Sequence, residues 1–147
     1  MARQASFNEQ TSAIEVAEFY RSEIRGKTIV VTGVSLNGLG SAFCKAISQY
    51  GPRLLIITGR DIQRPRAVAQ FFNAQYAGVE IATVQIDLSQ SDSVKKAASE
   101  IKNLCTRVDI LVNNAGVMCF PRHCLTDEDV EIHLQSTILD TFCSLNY

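Results

Sequence analysis

The chain has 147 residues, of which 46% are hydrophobic and 20% are charged, and its formal net charge is -1. This length is enough for one domain with a hydrophobic core, and the composition is ordinary for a globular protein. The near-neutral charge offers no basic field for nucleic acid or an anionic membrane, and no apolar run approaches the roughly 20 residues that span a bilayer. The N-terminus lacks the apolar core of a secretory signal, so we expect a cytoplasmic protein without nucleic-acid or membrane partners.

The cysteines are odd in number, and most of them lie inside predicted helices or strands, as expected for buried thiols in a reducing compartment. They are Cys44, Cys105, Cys119, Cys124 and Cys143. Cys119, His123 and Cys124 are conceivable metal ligands. Their spacing matches no standard zinc pattern and a fourth ligand is not evident, so we expect no metal site.

The N-terminal 26 residues predict a helical arm. Ser12 and Glu15 have the spacing of a capping box, which predicts a helix from Ala13 to about Ile24 that stops at Gly26. The residues expected on its buried side are Ile14, Ala17, Phe19 and Ile24. Residues 1–26 are therefore interpreted as an arm that packs on a second unit, residues 27–147.

Residues 27–40, KTIVVTGVSLNGLG, join an apolar β-branched run to a glycine-rich turn. The run predicts a strand that is buried on both faces. An amphipathic helix is predicted to follow from Ser41 to Tyr50, with Leu39, Phe43 and Ile47 on one face.

A strand, a glycine turn and a helix in this order are typical of phosphate binding. Glycine lets the backbone approach a pyrophosphate, and the helix N-terminus offers N–H groups and a partial positive charge. We expect the following residues of this loop to bind a dinucleotide: Gly33, Ser35, Asn37, Gly38, Leu39 and Gly40.

Three further strand-and-helix units follow along the chain. The strands are continuous apolar runs at residues 54–58, 79–86 and 108–112, and helices are predicted over 61–76, from 91 or 92 to 105, and from 126 onward. This alternation predicts an α/β fold, half of a doubly wound Rossmann-type parallel sheet of order 3-2-1-4, with flanking helices. The residues expected on the inner faces of these helices are Ala69, Phe72, Tyr76, Val94, Ala98, Ile101, Leu104, Val130, Leu134, Ile138 and Leu145.

In such a sheet, ligands bind beyond the carboxyl ends of the strands. Arg60 follows the second strand, where NAD-binding proteins usually carry an acid, and a guanidinium suits a 2′-phosphate. NADP is therefore favoured over NAD. The alternative is a surface salt bridge with Asp61 or a neighbour, and a shift of one residue would bring Asp61 itself to the ribose.

Two more strand ends carry candidate cofactor contacts. After the third strand, Asp87 is expected to accept from the adenine amino group, with Leu88 against the ring; the alternative for Asp87 is a helix N-cap. The fourth strand is followed by Asn113-Asn114-Ala115-Gly116. Asn114 either binds the cofactor ribose or braces the strand, Asn113 is expected to brace the turn, and Asn114, Ala115 and Gly116 complete the predicted site.

These residues together resemble the marks of the short-chain dehydrogenase/reductase family, over about residues 27–142. The marks are Thr32-Gly33 with Gly38 and Gly40, then Asp87-Leu88, then Asn113-Asn114-Ala115-Gly116. The resemblance implies an NADP-binding oxidoreductase. The N-terminal arm is similar to a fungal branch related to retinol-dehydrogenase-like and secondary-metabolism reductases.

Two departures from the family bear on function. Four residues lie between Gly33 and Gly38 where the family normally has three, and we expect binding to survive because the fungal branch resembles this chain there. In the helix after the fourth strand, Thr137, Ile138 and Thr141 stand where the branch carries an asparagine and two histidines.

The family's hydride chemistry uses a serine and a Tyr-x-x-x-Lys pair beyond that helix, with the tyrosine as general acid/base. No tyrosine in these 147 residues has a lysine four residues later. The resemblance therefore implies a shortened chain with the cofactor half of the site and no catalytic residues. We expect no hydride transfer by this chain alone.

Two other functions remain open. A non-catalytic module would pair with itself or with a complete homologue through the last helix or the unpaired edge of the fourth strand. A repurposed isomerase or cyclase would use His123, His133 and the acidic cluster Asp127-Glu128-Asp129. That cluster is explained more simply as the first turn of a helix, where acids are favoured.

Overall fold

The computed structural model describes residues 6–76, 78–116 and 125. The elements are α1 (Ala13–Phe19), α2 (Arg21–Ile24), β1 (Thr28–Val31), α3 (Leu39–Ser48), β2 (Leu54–Gly59), α4 (Gln63–Gln75), β3 (Glu80–Gln85), α5 (Ser91–Leu104) and β4 (Ile110–Val112). The four strands form one parallel sheet in the order β3-β2-β1-β4. This confirms the predicted fold class and strand order.

The sheet has a hydrophobic core on each face, because successive side chains of a strand point to opposite sides. One core joins β1 and β2 to α3, α4 and the N-terminal arm, and the other joins β1, β2 and β3 to α5. Val30 and Ile56 belong to the α5 side, whereas Val31 and Ile57 belong to the other, and all four are at most 1% exposed. A strand buried on both faces has no polar positions, which is why the sequence shows continuous apolar runs.

The N-terminal arm confirms its predicted cap but not its predicted length. Ser12 Oγ accepts from the Glu15 N–H at 3.3 Å, and Glu15 Oε2 accepts from the Ser12 N–H at 2.8 Å. The prediction of one continuous helix is wrong, because Tyr20 leaves helical geometry at φ -95° and ψ 20° and separates α1 from α2. Within the arm, Ala17 and Ile24 are buried in the core, while Ile14 is 46% exposed against prediction.

Two other predicted core positions are also exposed. Leu39 is 85% exposed, because the inner stripe of α3 runs through Gly40, Cys44 and Ile47 rather than through Leu39. The small side chains at 40 and 44 let the helix lie close to the sheet, and Leu39 falls outside that stripe. On α5, Leu104 is 44% exposed, and the next residue, Cys105, is buried in its place.

The described cysteines, Cys44 and Cys105, are free and buried, as predicted. Burial raises the pKa of the Cys44 thiol to about 12. Among the described residues there is no cluster of histidine, cysteine and acidic side chains that could hold a metal ion. Nor does this part of the chain contain a helix both long and apolar enough to cross a membrane.

Several sequence-based candidates lie outside the described residues. They are the three candidate metal ligands, the predicted last helix with its acidic first turn, and His133.

Candidate functional site

The glycine-rich loop connects the carboxyl end of β1 to the N-terminus of α3. The Val34 N–H donates to the Thr58 carbonyl at 2.8 Å, which ties the loop to the end of β2. Asn37 has a φ of 61°, and the following Gly38 is the N-cap of α3. Because first-turn N–H groups have no acceptor within a helix, the start of α3 can donate to an anion.

Two glycines are required by close packing between this loop and the turn after β4. Gly33 has a φ of +66°, and a Cβ atom there would lie 2.7 Å from both Cα and Cβ of Ala115. At position 40 a Cβ atom would lie 2.7 Å from Nδ2 of Asn114. A side chain at position 33 would push the end of β1 away from the turn after β4, whereas one at position 40, on α3, would displace the Asn114 side chain.

Asn114 holds this junction together. Its Nδ2 atom donates to the carbonyl oxygens of Thr32 at 2.8 Å and Gly33 at 3.1 Å. The N–H groups of Asn114 and Ala115 both donate to Oγ1 of Thr32, at 3.1 and 2.9 Å. Of the two roles left open by the sequence, the structure gives Asn114 the bracing role, whereas Asn113 is exposed and makes no hydrogen bond to the described residues.

The end of β2 carries two arginines and one acid. The Asp61 carboxylate accepts from the Gln63 N–H at 3.0 Å and lies 3.8 Å from Nε of Arg64. The expected alternative of an Arg60–Asp61 salt bridge is therefore wrong. The Arg60 carbonyl is fixed by Nε2 of Gln85 at 3.0 Å, and its guanidinium has no ion pair among the described residues.

The end of β3 forms a tight turn around Asp87. Oδ1 of Asp87 accepts from both the N–H and the hydroxyl of Ser89, at 3.0 and 2.6 Å. The Asp87 N–H in turn donates to Oγ of Ser93 at 2.9 Å. The N-cap of α5 is Gln90, so the helix-cap alternative for Asp87 is wrong. Leu88 is 7% exposed and belongs mainly to the α5 core, which limits its contact with any ligand.

The four strand ends enclose a cleft of about 320 Å³, near the lower end of the size range of small-molecule sites. Eight predicted site residues line this cleft: Gly33, Ser35, Arg60, Asp87, Leu88, Asn114, Ala115 and Gly116. Four predicted residues do not line it: Asn37, Gly38, Leu39 and Gly40. Those four lie further along the loop and at the start of α3, so the cleft and the helix N-terminus are adjacent parts of one surface.

The cleft also contains residues that were absent from the predicted site. They are Val34, Gly59, Asp61, Arg64, Ile86 and Ser89. Asp61 was considered only as an alternative, and Arg64 was missed. The sequence pattern that could have indicated Arg64 is its spacing of four residues from Arg60 across a helix start, which places two arginines at the same strand end.

The described residues fit a dinucleotide. The glycine backbone admits close approach, the start of α3 offers N–H donors to a pyrophosphate, and Arg60 and Arg64 place positive charge at the far side of the cleft. Glycine loop, parallel sheet and strand-end cleft together define a Rossmann-type dinucleotide-binding fold.

Comparison with known proteins identifies the family. The family model for short chain dehydrogenases matches residues 27–142. The Oxidoreductase fscI of Fusarium equiseti is 53% identical over 128 residues, which cover 87% of this chain and 50% of that protein. The chain therefore belongs to the short-chain dehydrogenase family, as its motifs predicted.

Solved structures agree with this assignment. A metagenomic short-chain oxidoreductase in complex with NADP is 38% identical with a TM-score of 0.56, covering 64% of this chain and 41% of that one. A short chain dehydrogenase/reductase from Burkholderia phymatum in complex with NAD is 30% identical with a TM-score of 0.57, covering 65% and 32%. The chain spans about half the length of the first curated relatives that it matches.

Proposed function

We propose that this chain binds NADP in the strand-end cleft, as the cofactor-binding half of an oxidoreductase. The observation that carries the proposal is the arrangement at the end of β2, where two arginines line the cleft and the intervening acid is already bonded to its neighbours. A nicotinamide cofactor supplies a hydride donor or acceptor when bound. The residues described here supply its binding and orientation.

The preference for NADP over NAD follows from the charges around Asp61. An acid that selects NAD must offer its oxygens to both ribose hydroxyls. Here one oxygen of Asp61 accepts from the Gln63 N–H and the other lies by Arg64. Arg60 has no competing ion pair among the described residues, so its guanidinium can form the charge-assisted bonds that a 2′-phosphate offers. One similar structure holds NADP and another holds NAD, so the argument depends on this chain's own residues.

The remaining cofactor contacts are assigned by position. The pyrophosphate would lie at the start of α3, where Leu39 and Gly40 supply backbone N–H groups, with Ser35, Asn37 and Gly38 in the preceding turn, closed by the Gly38 N–H that donates to the Ser35 carbonyl. The adenine would lie between the ends of β2 and β3, near Asp87, whose Oδ1 is already bonded to Ser89. Asn114, Ala115 and Gly116 would form the opposite wall.

Hydride transfer is proposed to require residues that these 147 do not contain, since none of the four tyrosines is followed by a lysine at the fourth position.

A second function is proposed on the evidence of β4. This strand pairs with β1 and, among the described residues, has no strand on its other side. Its half-buried apolar side chains, and backbone groups that no described residue pairs on that side, favour association with a second copy or a homologous subunit.

The cofactor proposal is tested by titrating the purified chain with NADPH and NADH. We expect tighter binding of NADPH, and a loss of about tenfold or more in Arg60→Ala and in Arg64→Ala, because each removes a hydrogen bond to a charged group. NADH binding should change little in Arg60→Ala and should not weaken in Arg64→Ala, because loss of Arg64 frees one oxygen of Asp61.

Arg66→Ala is the matched control, because Arg66 is exposed on α4 but does not line the cleft. It removes the same charge and should leave both affinities unchanged. Equal affinity of the parent chain for NADH and NADPH, or equal losses in all three variants, would contradict the proposed site.

A further inference from the structure

The glycine-rich loop contains the only Asn-Gly pair in the sequence, Asn37-Gly38. Asn37 is exposed, and it is the only residue other than glycine with a positive φ in the described part of the chain. Its side chain makes no hydrogen bond to any described residue. An asparagine amide that is solvent-exposed, unbonded and followed by glycine is the most reactive form of this thermolabile side chain.

We propose that Asn37 is a site of spontaneous deamidation, which places a negative charge in the phosphate-binding loop. The backbone nitrogen of Gly38 attacks Cγ of Asn37, and a new N–C bond closes a five-membered succinimide. The Cγ–N bond of the amide breaks, and ammonia leaves with the proton lost by Gly38. Water then opens either carbonyl of the ring and yields aspartate or isoaspartate, with no oxidation or reduction.

Two features of Gly38 affect the ring closure: the absence of a Cβ atom favours it, and the hydrogen bond of its N–H opposes it. Because Gly38 has no Cβ, nothing on that residue shields its nitrogen from the Asn37 side chain. Its N–H, however, donates to the Ser35 carbonyl at 3.2 Å, near the long end of the hydrogen-bond range. This single bond must open first, whereas the carbonyl of Gly38 stays fixed by Oγ of Ser41 at 2.8 Å.

The backbone at Asn37 adds a second reason. A left-handed conformation costs a residue with a side chain about 1–2 kcal/mol, less for asparagine. The Asn37 conformation is therefore maintained by the surrounding turn and is not the intrinsic minimum. Opening of the Ser35–Gly38 turn lets the backbone leave that conformation and sample others, including those in which the amide carbon approaches the Gly38 nitrogen.

The product changes the loop where a pyrophosphate is expected, and this consequence depends on the proposed NADP site. Aspartate adds one negative charge in the loop that precedes the start of α3, and isoaspartate also lengthens the backbone by one methylene group. Like charges a few ångströms apart repel each other, so the modified loop should bind NADP more weakly.

The modification is tested by incubating the folded chain at mildly alkaline pH and measuring tryptic peptides by mass spectrometry. Peptide 28–45 carries Asn37, and peptide 108–122 carries Asn113 as an internal control. Asn113 is also exposed and unbonded among the described residues, but asparagine follows it. We expect aspartate and isoaspartate to form several-fold faster at Asn37 than at Asn113. Conversion at Asn37 that is no faster than at Asn113 would overturn the proposal.

The consequence is tested by NADPH titration of Asn37→Asp and Asn37→Gly. Glycine tolerates the positive φ and adds no charge, so it separates the loss of the amide from the gain of the charge. We expect Asn37→Asp to bind NADPH about tenfold more weakly than Asn37→Gly. Equal affinities would refute the effect of the charge. Failure of the unmodified chain to bind NADPH would refute the proposed function instead, and the peptide measurement would still decide whether Asn37 deamidates.

Discussion

At the residue scale, two neighbouring asparagines after β4 have different roles. Asn114 donates to two carbonyl groups at the end of β1, and its side chain lies where a Cβ atom on Gly40 would collide with it. Asn113 is exposed, and none of the described residues bonds to it. The sequence places both residues at the strand end, but the choice between binding a ribose and bracing the turn depends on side-chain direction, which residue spacing does not determine.

Replacing Asn114 with alanine should therefore destabilise the fold, whereas replacing Asn113 should not. Asn114→Ala leaves two carbonyl groups without their side-chain donor, at a cost of about 1–3 kcal/mol in the free energy of unfolding. Asn113→Ala should change that free energy by less than about 0.5 kcal/mol. Urea denaturation of the two variants measures the difference. Equal midpoints would show that the hydrogen bonds of Asn114 do not hold the two strand ends together.

Among the cleft residues that the sequence did not predict, Arg64 has an identifiable structural cause. Arg64 reaches the cleft because α4 begins at Gln63, only four residues beyond the last residue of β2, so that the first helical turn stays beside the strand end. The predicted helix over 61–76 already included Arg64, but helical spacing alone does not determine whether a first-turn side chain points towards the strand end or into solvent. Arg60 was predictable because it follows the strand directly, and its fixed distance from a continuous apolar run requires no knowledge of the helix.

At the scale of elements, the amino ends of β1 and β4 are joined by Asp109. Its Oδ2 atom accepts from the Thr28 N–H at 2.9 Å, and Oδ1 lies 3.0 Å from Nε of Arg107 and 3.7 Å from Nζ of Lys27. The Thr28 hydrogen bond lowers the pKa of this carboxyl group below its ordinary value, and the positive charges of Arg107, Lys27 and Arg53 lower it further against the opposing effect of burial. This junction lies at the amino ends of the strands, whereas the cleft lies at their carboxyl ends.

The lowered pKa predicts a stabilising contribution that depends on pH. A carboxyl group with a depressed folded-state pKa contributes stability above its unfolded pKa, about 4, and the contribution is lost as the pH falls through the folded value. Asp109→Asn should therefore lower the thermal midpoint at neutral pH, and the difference from the parent chain should disappear in strong acid. Thermal denaturation across this range is the measurement.

Asp92→Asn is the control for that experiment. The Asp92 side chain is 100% exposed and pairs with Lys95 at 3.4 Å within one helix, an arrangement that contributes little. This variant should have nearly the same midpoint as the parent chain at every pH. A constant difference between Asp109→Asn and the parent down to acid pH would mean that the charge of Asp109 is not responsible.

At the scale of the whole molecule, the topology follows from a few strong signals in the sequence. Four continuous apolar runs separated by helices require parallel strands, and right-handed crossovers then leave few possible strand orders. The helix faces were less predictable. Leu39 and Leu104 have the spacing of core residues, yet small residues set the inner stripe of α3 and the chain turns inward at Cys105 after α5. We propose, further, that the described part of the N-terminal arm, residues 6–26, acts as a cover over α3, since Ala17 and Ile24 join the core on that side of the sheet.

The β4 edge gives the last prediction, which concerns self-association. A short apolar strand that has, among the described residues, no neighbour on one of its sides can pair with another chain there, and a lysine at its end hinders such pairing. We expect the sedimentation coefficient of the chain to rise with protein concentration, and to rise less in Asn113→Lys, where the charge directly follows β4. Asn103→Lys adds the same charge at an exposed position on α5 and should behave like the parent chain. A concentration-independent coefficient in the parent, or equal suppression by both lysines, would exclude the β4 edge as the contact, because only Asn113 adjoins the unpaired backbone groups.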